Sequence, residues 1–400
     1  MVKAALKPCE NAALACIPQK MVYHRDLACL THYAGYFVRV ILSLFSFLLF
    51  LTLAGCGSNP AREGAGRAPE GSAYGGGGGS GNFANNPAAL RFAQTMQQRH
   101  GYDATAVMSI LARAQRQNWI IAQMNKPLRK GSGPSVPTGA WNRYRAKFIT
   151  SDNIDKGVAF WNQHRAELQR ASATYGVPPE IIVGIIGVET RWGRIMGKTR
   201  IIDALATLSF AYPRRSAYFT GELEAFLLMT REEGIDPFKP TGSFAGAMGY
   251  GQFMPSNIRR YGVDFNGDRH RSLWHPVDAI GSVANYFKGH GWRTGEPVVV
   301  RATVSGPGAG SLKAGFDTNY SLATLAGAGI TPAGSLGGAK SASLLKFDVG
   351  SGYEYWLGLH NFYVITRYNH LTYYAMAVYQ LGNAVKARIG GGAPRMAAVR

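Results

Sequence analysis

The part of this sequence that is long enough to fold lacks cysteine. All four cysteines fall within the first 56 of the 400 residues, the last of them at Cys56. A disulfide or a thiolate-bound metal is therefore excluded from everything that follows. Acidic residues are also scarce, 23 against 43 lysines and arginines, and the formal net charge is +20. Such a surface favours an anionic partner, such as nucleic acid, membrane headgroups or an acidic polymer, although it also serves solubility alone.

One predominantly apolar run near the N-terminus has the length of a signal sequence. It covers residues 40–54 and leads into Leu-Ala-Gly-Cys at 53–56. About 15 apolar residues suit the h-region of a signal peptide better than a membrane span, with an uncleaved transmembrane anchor as the alternative. Leu-Ala-Gly-Cys resembles the bacterial lipobox, which implies cleavage before Cys56 and acylation of that cysteine. Residues 1–55 are therefore predicted to be a lipoprotein signal peptide, with Met21 as a second candidate start.

The residues after Cys56 predict an anchored, tethered domain. Gly57 stands where an aspartate would favour retention at the inner membrane of a Gram-negative bacterium. Its absence implies the inner face of the outer membrane, where the protein would face the periplasm. Residues 56–86, which include a run of glycines at 75–79, are predicted to be a flexible tether. A tether of this length lets an anchored domain reach a few tens of Å.

Hydrophobic periodicity predicts an α+β fold that is mostly helical. Apolar residues recur at helical spacing through residues 87–295, with helices over 87–100, 103–119, 151–176, 180–190, 216–234 and 275–291. Asp103 is expected to cap the second of these helices, and Pro276 to lie in the first turn of the last. Residues 296–369 are predicted to form a small β subdomain, including strands across 343–369 separated by glycine turns. A closing helix over 370–388 and a tail over 389–400 complete the chain.

A single glutamate interrupts a long apolar stretch. Glu189 ends the run "PPEIIVGIIGVE" and is followed by Arg191 and Arg194. Burial and the C-terminal end of the helix dipole both disfavour the charged carboxylate and raise its pKa. Glu189 would then be protonated near neutral pH and suited to general-acid chemistry. The alternative is a buried ion pair between Glu189 and one of the two arginines.

Two loops after residue 240 carry polar side chains in recognisable patterns. The glycine-rich segment "GSFAGAMGYGQFMPSN" at 242–257 can bring its backbone close to a ligand, or can be a turn packed on a helix. In "DFNGDRHRSLWHPVD" at 264–278, the alternation of Asp264, Asn266 and Asp268 matches the first half of an EF-hand loop. Arg269 replaces the usual glycine, and Asp278 is positioned to supply the closing carboxylate. Hard oxygen ligands favour calcium or sodium, and an Asx-rich turn is the alternative.

A third polar group, in "YVITRYNH" at 363–370, is predicted to follow a strand and to precede the closing helix. Residues in such a position either cap the helix or face a cleft.

Taken together, these segments resemble the lipid-anchored lytic transglycosylases. The resemblance covers about residues 87–388 and includes "GVETRWG", "YPRR", "GSFAGAMGYGQFMPS", "LWHPVDAIGSVANYF" and "ITRYNH". It implies a lysozyme-like catalytic domain with Glu189 as the sole catalytic acid. It further implies a set of residues that contact the substrate: Ser243, Gln252, Tyr368, Asn369, Arg214 and Arg215. A cation would be bound by Asp264, Asn266, Asp268, the His270 carbonyl and Asp278, with the departure at Arg269 noted above.

The reaction implied by this resemblance needs one carboxylate, whereas an ordinary glycosidase uses two carboxylates that lie about 5–9.5 Å apart. The resemblance implies cleavage between N-acetylmuramic acid and N-acetylglucosamine with a 1,6-anhydromuramoyl product. No cofactor is expected for the chemistry, and a structural calcium or sodium ion is the expected ligand of the loop. A hydrolytic muramidase and a non-catalytic peptidoglycan-binding scaffold are the alternatives. The expected partners are peptidoglycan glycan strands and, through acylated Cys56, membrane lipid; nucleic acid is not expected, and cell-wall synthesis proteins stay open.

Overall fold

A computed structural model describes residues 83–126 and 137–391 of the chain. The predicted signal peptide, Cys56 and most of the tether lie outside these ranges, as does the end of the tail. Phe83, within the predicted tether, is buried and packs against Phe210 with their ring centroids 5.5 Å apart. The described helices are α1 Pro87–His100, α2 Ala104–Arg113, α3 Asn118–Met124, α4 Ala140–Arg145, α5 Ser151–Gln163, α6 Arg165–Tyr175, α7 Pro179–Thr190, α8 Ile201–Ala211, α9 Ser216–Glu232, α10 Pro255–Tyr261, α11 Pro276–Gly289, α12 Leu322–Gly327, α13 His360–Tyr368 and α14 Thr372–Ile389.

Seven short strands accompany the helices in the described part of the chain. They are β1 Thr199–Arg200, β2 Thr241–Gly242, β3 Val299–Val304, β4 Tyr320–Ser321, β5 Ile330–Pro332, β6 Ser341–Asp348 and β7 Tyr353–Gly358. The first two form a small antiparallel pair, and the other five form one antiparallel sheet in the order β4-β6-β7-β3-β5. The sheet has its own small apolar core, which includes Leu344 opposite Leu357. The predicted combination of a helical part and a β subdomain before the last helix is confirmed.

Capping explains several helix boundaries. The Asp103 side chain accepts a hydrogen bond from Thr105 N at 2.9 Å, so the predicted cap of α2 is confirmed. Gly176 ends α6 in the left-handed conformation that glycine adopts without steric cost. Two of the predicted helices are each broken into two shorter helices. The helix predicted over 103–119 breaks after Arg113. The helix predicted over 151–176 breaks at His164, where φ is −115° and the chain leaves helical geometry.

The predicted strands across 343–369 are wrong in their last part, because residues 360–368 form helix α13. Phe362, Ile365 and Tyr368 are spaced by three residues and are all buried, which is helical periodicity. Asn361 anchors the start of the helix: its buried amide accepts from Arg293 N at 2.9 Å and donates to two backbone carbonyls. These contacts outweigh the β-branched composition that favoured a strand.

Helices α7 and α14 run antiparallel and pack with their backbones in contact. A Cβ atom on Gly184 would lie 2.3 Å from the Val378 carbonyl oxygen, and one on Gly382 would lie 1.8 Å from the Glu180 carbonyl oxygen. Only the absence of these side chains permits the close approach. The pairing of residue 184 with 378 and of 180 with 382 defines a register. Continued toward the end of α7, that register places Tyr374 opposite Val188, the residue directly before Glu189.

No single helix among the described residues is long and apolar enough to cross a membrane. Helices α6 and α7 pass that test of length and composition as a pair, but the two are bent by 115°.

Candidate active site

Glu189 lies in the last turn of α7, where the helix emerges from the core. The preceding residues Ile185, Ile186 and Val188 are almost fully buried, whereas Glu189 is partly exposed. Thr190 fixes the end of the helix to a neighbouring loop. Its hydroxyl donates to the Tyr250 carbonyl at 3.0 Å and accepts from Gly193 N at 3.0 Å. The carboxyl group is therefore carried by a rigid helix whose terminus is tied to the glycine-rich segment.

The chain reverses sharply after Thr190. Arg191, Trp192 and Gly193 all have positive φ values, of 49°, 56° and 82°. The two non-glycine residues are strained in this conformation, which persists because surrounding contacts impose it. The Trp192 ring fills space left by two glycines, since a Cβ on Gly157 or Gly187 would lie 2.7 Å from it. This reversal ends α7 directly beyond Glu189, whose side chain is partly exposed.

The electrostatic environment favours a protonated Glu189. Burial among apolar side chains raises the pKa of Glu189 to about 7, and a hydrogen bond from Tyr374 acts in the opposite direction. The Tyr374 hydroxyl donates to Glu189 Oε1 at 2.5 Å. Among the described residues, no other carboxylate and no basic side chain perturbs this pKa. The predicted rise in pKa is thus present, and it comes from desolvation.

The two arginines next to Glu189 do not pair with it. Arg191 and Arg194 instead contribute, after Lys156, to the lowered pKa of Asp152. Within the described ranges Glu189 has no ion-pair partner, so the alternative of a buried ion pair is wrong. The positive φ values at residues 191–193 end α7 directly beyond Glu189, so neither arginine continues the helix that carries the carboxyl group.

Tyrosines from three helices surround the carboxyl group. Tyr374 on α14 bonds it directly, and Tyr368 on α13 is buried beside it with its hydroxyl donating to the Gly251 carbonyl at 2.5 Å. Burial, with Glu189 as the next contributor, raises the pKa of Tyr368 and of Tyr144 on α4. The buried Tyr144 hydroxyl has no hydrogen-bond partner among the described residues. All three phenols therefore stay neutral, and those of Tyr374 and Tyr368 act as hydrogen-bond donors.

The glycine-rich segment forms a tight, internally bonded loop beside α7. Ser243 N donates to the Ala247 carbonyl at 2.8 Å, and the Ser243 hydroxyl accepts from Ala247 N at 2.9 Å. The Gln252 amide donates to the Met196 and Gly249 carbonyls, so it bridges this loop and the chain after α7. A Cβ on Gly197 would lie 2.1 Å from the Gly242 carbonyl oxygen, which shows how closely the two chains approach.

The remaining predicted substrate residues are less closely tied to Glu189. Asn369 directly follows Tyr368 at the end of α13 and is almost fully buried. Arg215 stacks on the Tyr218 ring, 4.4 Å from its centroid, and burial lowers its pKa. Arg214 is exposed. Neither arginine, among the residues described, forms an ion pair or a hydrogen bond with Glu189.

The acidic loop before α11 gathers the predicted metal ligands. Carboxylate oxygens of Asp264, Asp268 and Asp278 lie within 4.8 Å of one another. Asp278 is fully buried and accepts hydrogen bonds from Phe265 N, Asn266 N and Ser272 N. Three clustered carboxylates with further oxygen donors suit a hard cation of the size of Ca²⁺.

Arg269, which departs from the EF-hand pattern, keeps the backbone conformation of the glycine that it replaces. Arg269 adopts a φ of 72°, the left-handed conformation for which the usual glycine is selected. His270 N donates to Asp268 Oδ1 at 2.8 Å, and His275 approaches the Asn266 amide at 3.5 Å. The arrangement therefore fits a calcium ion, with the strain of Arg269 as its cost.

Sequence reasoning missed Tyr374 and Tyr144. Tyr374 lies 185 positions from Glu189, and Tyr144 lies on a short helix that no periodicity marked. Tyr374 lies in the predicted closing helix, but only the register of that helix against α7 selects it from the tyrosines around it.

The fold and this site define the chain as a member of a known enzyme family. The family model for the transglycosylase SLT domain matches residues 84–383. The chain belongs to this family, has its lysozyme-like fold and is a lytic transglycosylase.

Individual relatives agree with that assignment. The chain is 61% identical over 307 residues to membrane-bound lytic murein transglycosylase B of Escherichia coli. The aligned region covers 76% of this chain and 84% of that protein. The Escherichia coli lytic transglycosylase Slt35, whose structure was solved in complex with calcium, is 60% identical in sequence to this chain. The two structures superpose with a TM-score of 0.73 over 77% of this chain and 96% of the Slt35 chain. SltB3 of Pseudomonas aeruginosa in complex with NAG-anhNAM-pentapeptide is 30% identical, with a TM-score of 0.64 over 74% and 78%.

Proposed function

We propose that this enzyme cleaves the β-1,4 bond between N-acetylmuramic acid and N-acetylglucosamine in peptidoglycan, with Glu189 acting first as the acid and then as the base. The supporting observation is the state of Glu189: its pKa is raised to about 7 by burial, and the Tyr374 hydroxyl hydrogen-bonds its carboxyl group. A group with a pKa near the working pH can donate a proton and take one back in the same turnover.

The absence of a second carboxylate near Glu189, among the described residues, favours intramolecular transfer over hydrolysis. Inverting and retaining glycosidases place their two carboxyl groups about 5–9.5 Å apart. Here the proposed steps need only one. Glu189 protonates the glycosidic oxygen as that oxygen leaves the muramoyl C1, and the N-acetyl carbonyl oxygen of the substrate stabilises the positive carbon. The Glu189 carboxylate then takes the proton of the muramoyl 6-hydroxyl, whose oxygen bonds to C1 and gives the 1,6-anhydro ring.

The sugar contacts are assigned to the polar groups around this centre. Tyr368 and Asn369 would border the cleft on one side, with Ser243 and Gln252 on the other. The locked hydrogen bonds of Tyr368 and Gln252 suit rigid positioning of the sugar rings. Arg214 and Arg215 are proposed to face the anionic polymer further from the cleaved bond, since they lack contacts with Glu189.

A calcium ion would be held by Asp264, Asn266, Asp268, the His270 carbonyl and Asp278. When bound it would supply charge neutralisation and rigidity to the loop before α11, and no step of the reaction requires it. The calcium complex of the related Slt35 supports this assignment.

We further propose that acylated Cys56 anchors the enzyme in the outer membrane, facing the periplasm. The membrane-bound relative from Escherichia coli supports membrane association. Several acyl chains would give stable anchoring, because each buried CH₂ group contributes about 0.8 kcal/mol.

Mass spectrometry of digested sacculi tests the reaction. The proposed transfer leaves 1,6-anhydromuramoyl ends, lighter by one water than the reducing ends that a hydrolytic muramidase would leave. Glu189→Gln should abolish release of soluble fragments while retaining binding to sacculi. Release at the wild-type rate by this variant would mean that Glu189 is not the acid, as expected for a non-catalytic scaffold. Reducing ends in place of anhydro ends would establish the hydrolytic alternative.

A further inference from the structure

One carboxylate of the β subdomain binds the start of a helix in the helical part of the chain. Asp348 is the last residue of β6. Its oxygens accept hydrogen bonds from four backbone N–H groups, those of Thr138 at 2.9 Å, Gly139 at 2.7 Å, Ala140 at 3.2 Å and Gly350 at 3.0 Å. Burial acts to raise the pKa of Asp348, but these four bonds outweigh it and hold the pKa well below its usual range. Asp348 is therefore an ionised group that is fixed against residues 138–140.

Helix α4, Ala140–Arg145, depends on this carboxylate for its cap. The N-cap residue is Gly139, which has a φ of 75° and lacks a side chain that could accept a hydrogen bond. A helix of six residues is also too short to be stable by its own hydrogen bonds. Asp348 supplies the acceptor and a negative charge at the positive end of the helix, from 208 positions away along the chain. The Asn142 amide strengthens the same link by donating to the Val349 carbonyl at 2.8 Å.

Two aromatic residues of α4 connect this cap with the surroundings of Glu189. Trp141 is fully buried, and its ring centroid lies 4.9 Å from that of Phe347 on β6 and 5.2 Å from that of Tyr373 on α14. Tyr144, three residues further along, packs on Tyr373 at 5.6 Å. Tyr144 also lies within electrostatic range of Glu189, which contributes after burial to the raised pKa of this phenol. The position of α4 therefore sets the position of the Tyr144 ring beside the carboxyl group.

We propose that Asp348 is a positioning residue for the reaction: it holds α4 so that Tyr144 stays packed beside Glu189 and keeps water away from the carboxyl group. The inference rests on the proposed function, because that function needs Glu189 protonated before the bond is cleaved. Burial is what raises the pKa of Glu189. Its titratable neighbours among the described residues are neutral phenols, those of Tyr144, Tyr368 and Tyr374. A loosened α4 admits water, which hydrates the carboxylate and lowers its pKa. The β subdomain thus acts on the reaction through the protonation state of Glu189.

Hydrogen exchange of the full-length protein tests the cap apart from catalysis. In Asp348→Ala, the amides of residues 138–140 should exchange about 10- to 100-fold faster than in the wild type, the factor expected for lost hydrogen bonds to a charged group. Asp348→Asn, which keeps one acceptor oxygen, should give a smaller increase and serves if the alanine variant fails to fold. Glu354→Ala is the matched control, since Glu354 lies on β7 of the same hairpin and contacts Arg301 and Trp356. Unchanged exchange in the Asp348 variants, or an equal increase in the control, would overturn the proposal.

The pH profile of kcat/KM for fragment release tests the effect on Glu189. In Asp348→Ala the descending limb should move to lower pH by about 0.5–1 unit, a part of the shift that burial produces. The protonated fraction of Glu189 near pH 8 then falls about three- to tenfold, and kcat/KM falls with it. A loss of activity that is equal at every pH, with the limb in place, would reduce Asp348 to a structural role and refute the inference.

A double-variant cycle tests whether Tyr144 is the link. Tyr144→Leu alone should also move the limb to lower pH, and Asp348→Ala should add little in the same chain, because both changes expose the same carboxyl group to water. Additive shifts would mean that Asp348 acts elsewhere and would refute the proposal. A wild-type enzyme that left reducing ends in place of anhydro ends would refute the proposed function, whereas hydrogen exchange would still report on Asp348.

Discussion

The hydrogen bond from Tyr374 to Glu189 makes a quantitative prediction about pH dependence. The phenol stabilises the ionised carboxylate, so Tyr374→Phe removes the interaction that opposes the effect of burial on the pKa of Glu189. A hydrogen bond to a charged group contributes about 1.5–3 kcal/mol. Since one pKa unit corresponds to about 1.36 kcal/mol, the pKa of Glu189 should rise by about 1–2 units, from about 7 to about 8–9.

The assay is kcat/KM for fragment release from sacculi as a function of pH. The first step needs protonated Glu189, so activity falls as pH rises through this pKa, and kcat/KM reports the ionisation of the free enzyme. In Tyr374→Phe the descending limb should move upward by about 1–2 pH units, whatever happens to the maximum rate.

Tyr379→Phe is the matched control for this experiment. Tyr379 lies on the same helix, α14, but its raised pKa reflects burial and Glu180, not Glu189. The control should leave the limb in place. Thermal unfolding should first show that both variants are folded. A descending limb that stays in place or moves to lower pH in Tyr374→Phe would then refute the reasoning that burial sets the pKa of Glu189 and that Tyr374 opposes it.

Three further predictions concern stability. Glu189 has a pKa of about 7 in the folded protein, above its value of about 4.3 in the unfolded chain. The wild type therefore loses stability as the pH rises from about 4.3 to about 7. Urea unfolding should show Glu189→Gln more stable by up to about 3.5 kcal/mol near pH 8 and equal near pH 4; a pH-independent gain would contradict this. Gly184→Ala places a Cβ 2.3 Å from the Val378 carbonyl oxygen and should cost about 1–3 kcal/mol and lower kcat, whereas Gly221→Ala, in open space on α9, should be neutral or stabilising. Calcium should raise the melting temperature by an amount that EGTA reverses and Asp268→Ala removes; an equal rise in that variant would place the ion elsewhere.

Helix α7 shows how far the sequence could predict the site. The apolar run, the paired prolines at its start and the single acidic residue at its end indicated a buried helix and a raised pKa for Glu189. Both features depend on neighbours within a few turns of one helix, and the structure agrees with them. The acidic loop was equally predictable, because Asp264, Asn266 and Asp268 form their contacts within one short segment.

Helix α13 shows where the sequence was insufficient. Its β-branched and aromatic residues fit a strand as well as a helix, and short apolar segments of this kind are ambiguous. Asn361 resolves the ambiguity through bonds to Arg293 and Glu296, which lie 68 and 65 positions away. The break at His164 and the short helix α4 likewise had no signal in the local pattern.

The sequence by itself determined the chemical groups of this protein: one carboxyl group in an apolar helix, an acidic loop, a glycine-rich segment and no thiol after Cys56. The tertiary structure decided what each group meets. It paired Glu189 with Tyr374, 185 positions away, by letting α7 and α14 approach through Gly184 and Gly382. It also ended α7 at Arg191 by a reversal of positive φ, and Arg191 forms no ion pair with Glu189 among the described residues. The physical reason is that desolvation and hydrogen bonding act through space, whereas periodicity and local composition describe only neighbours along the chain.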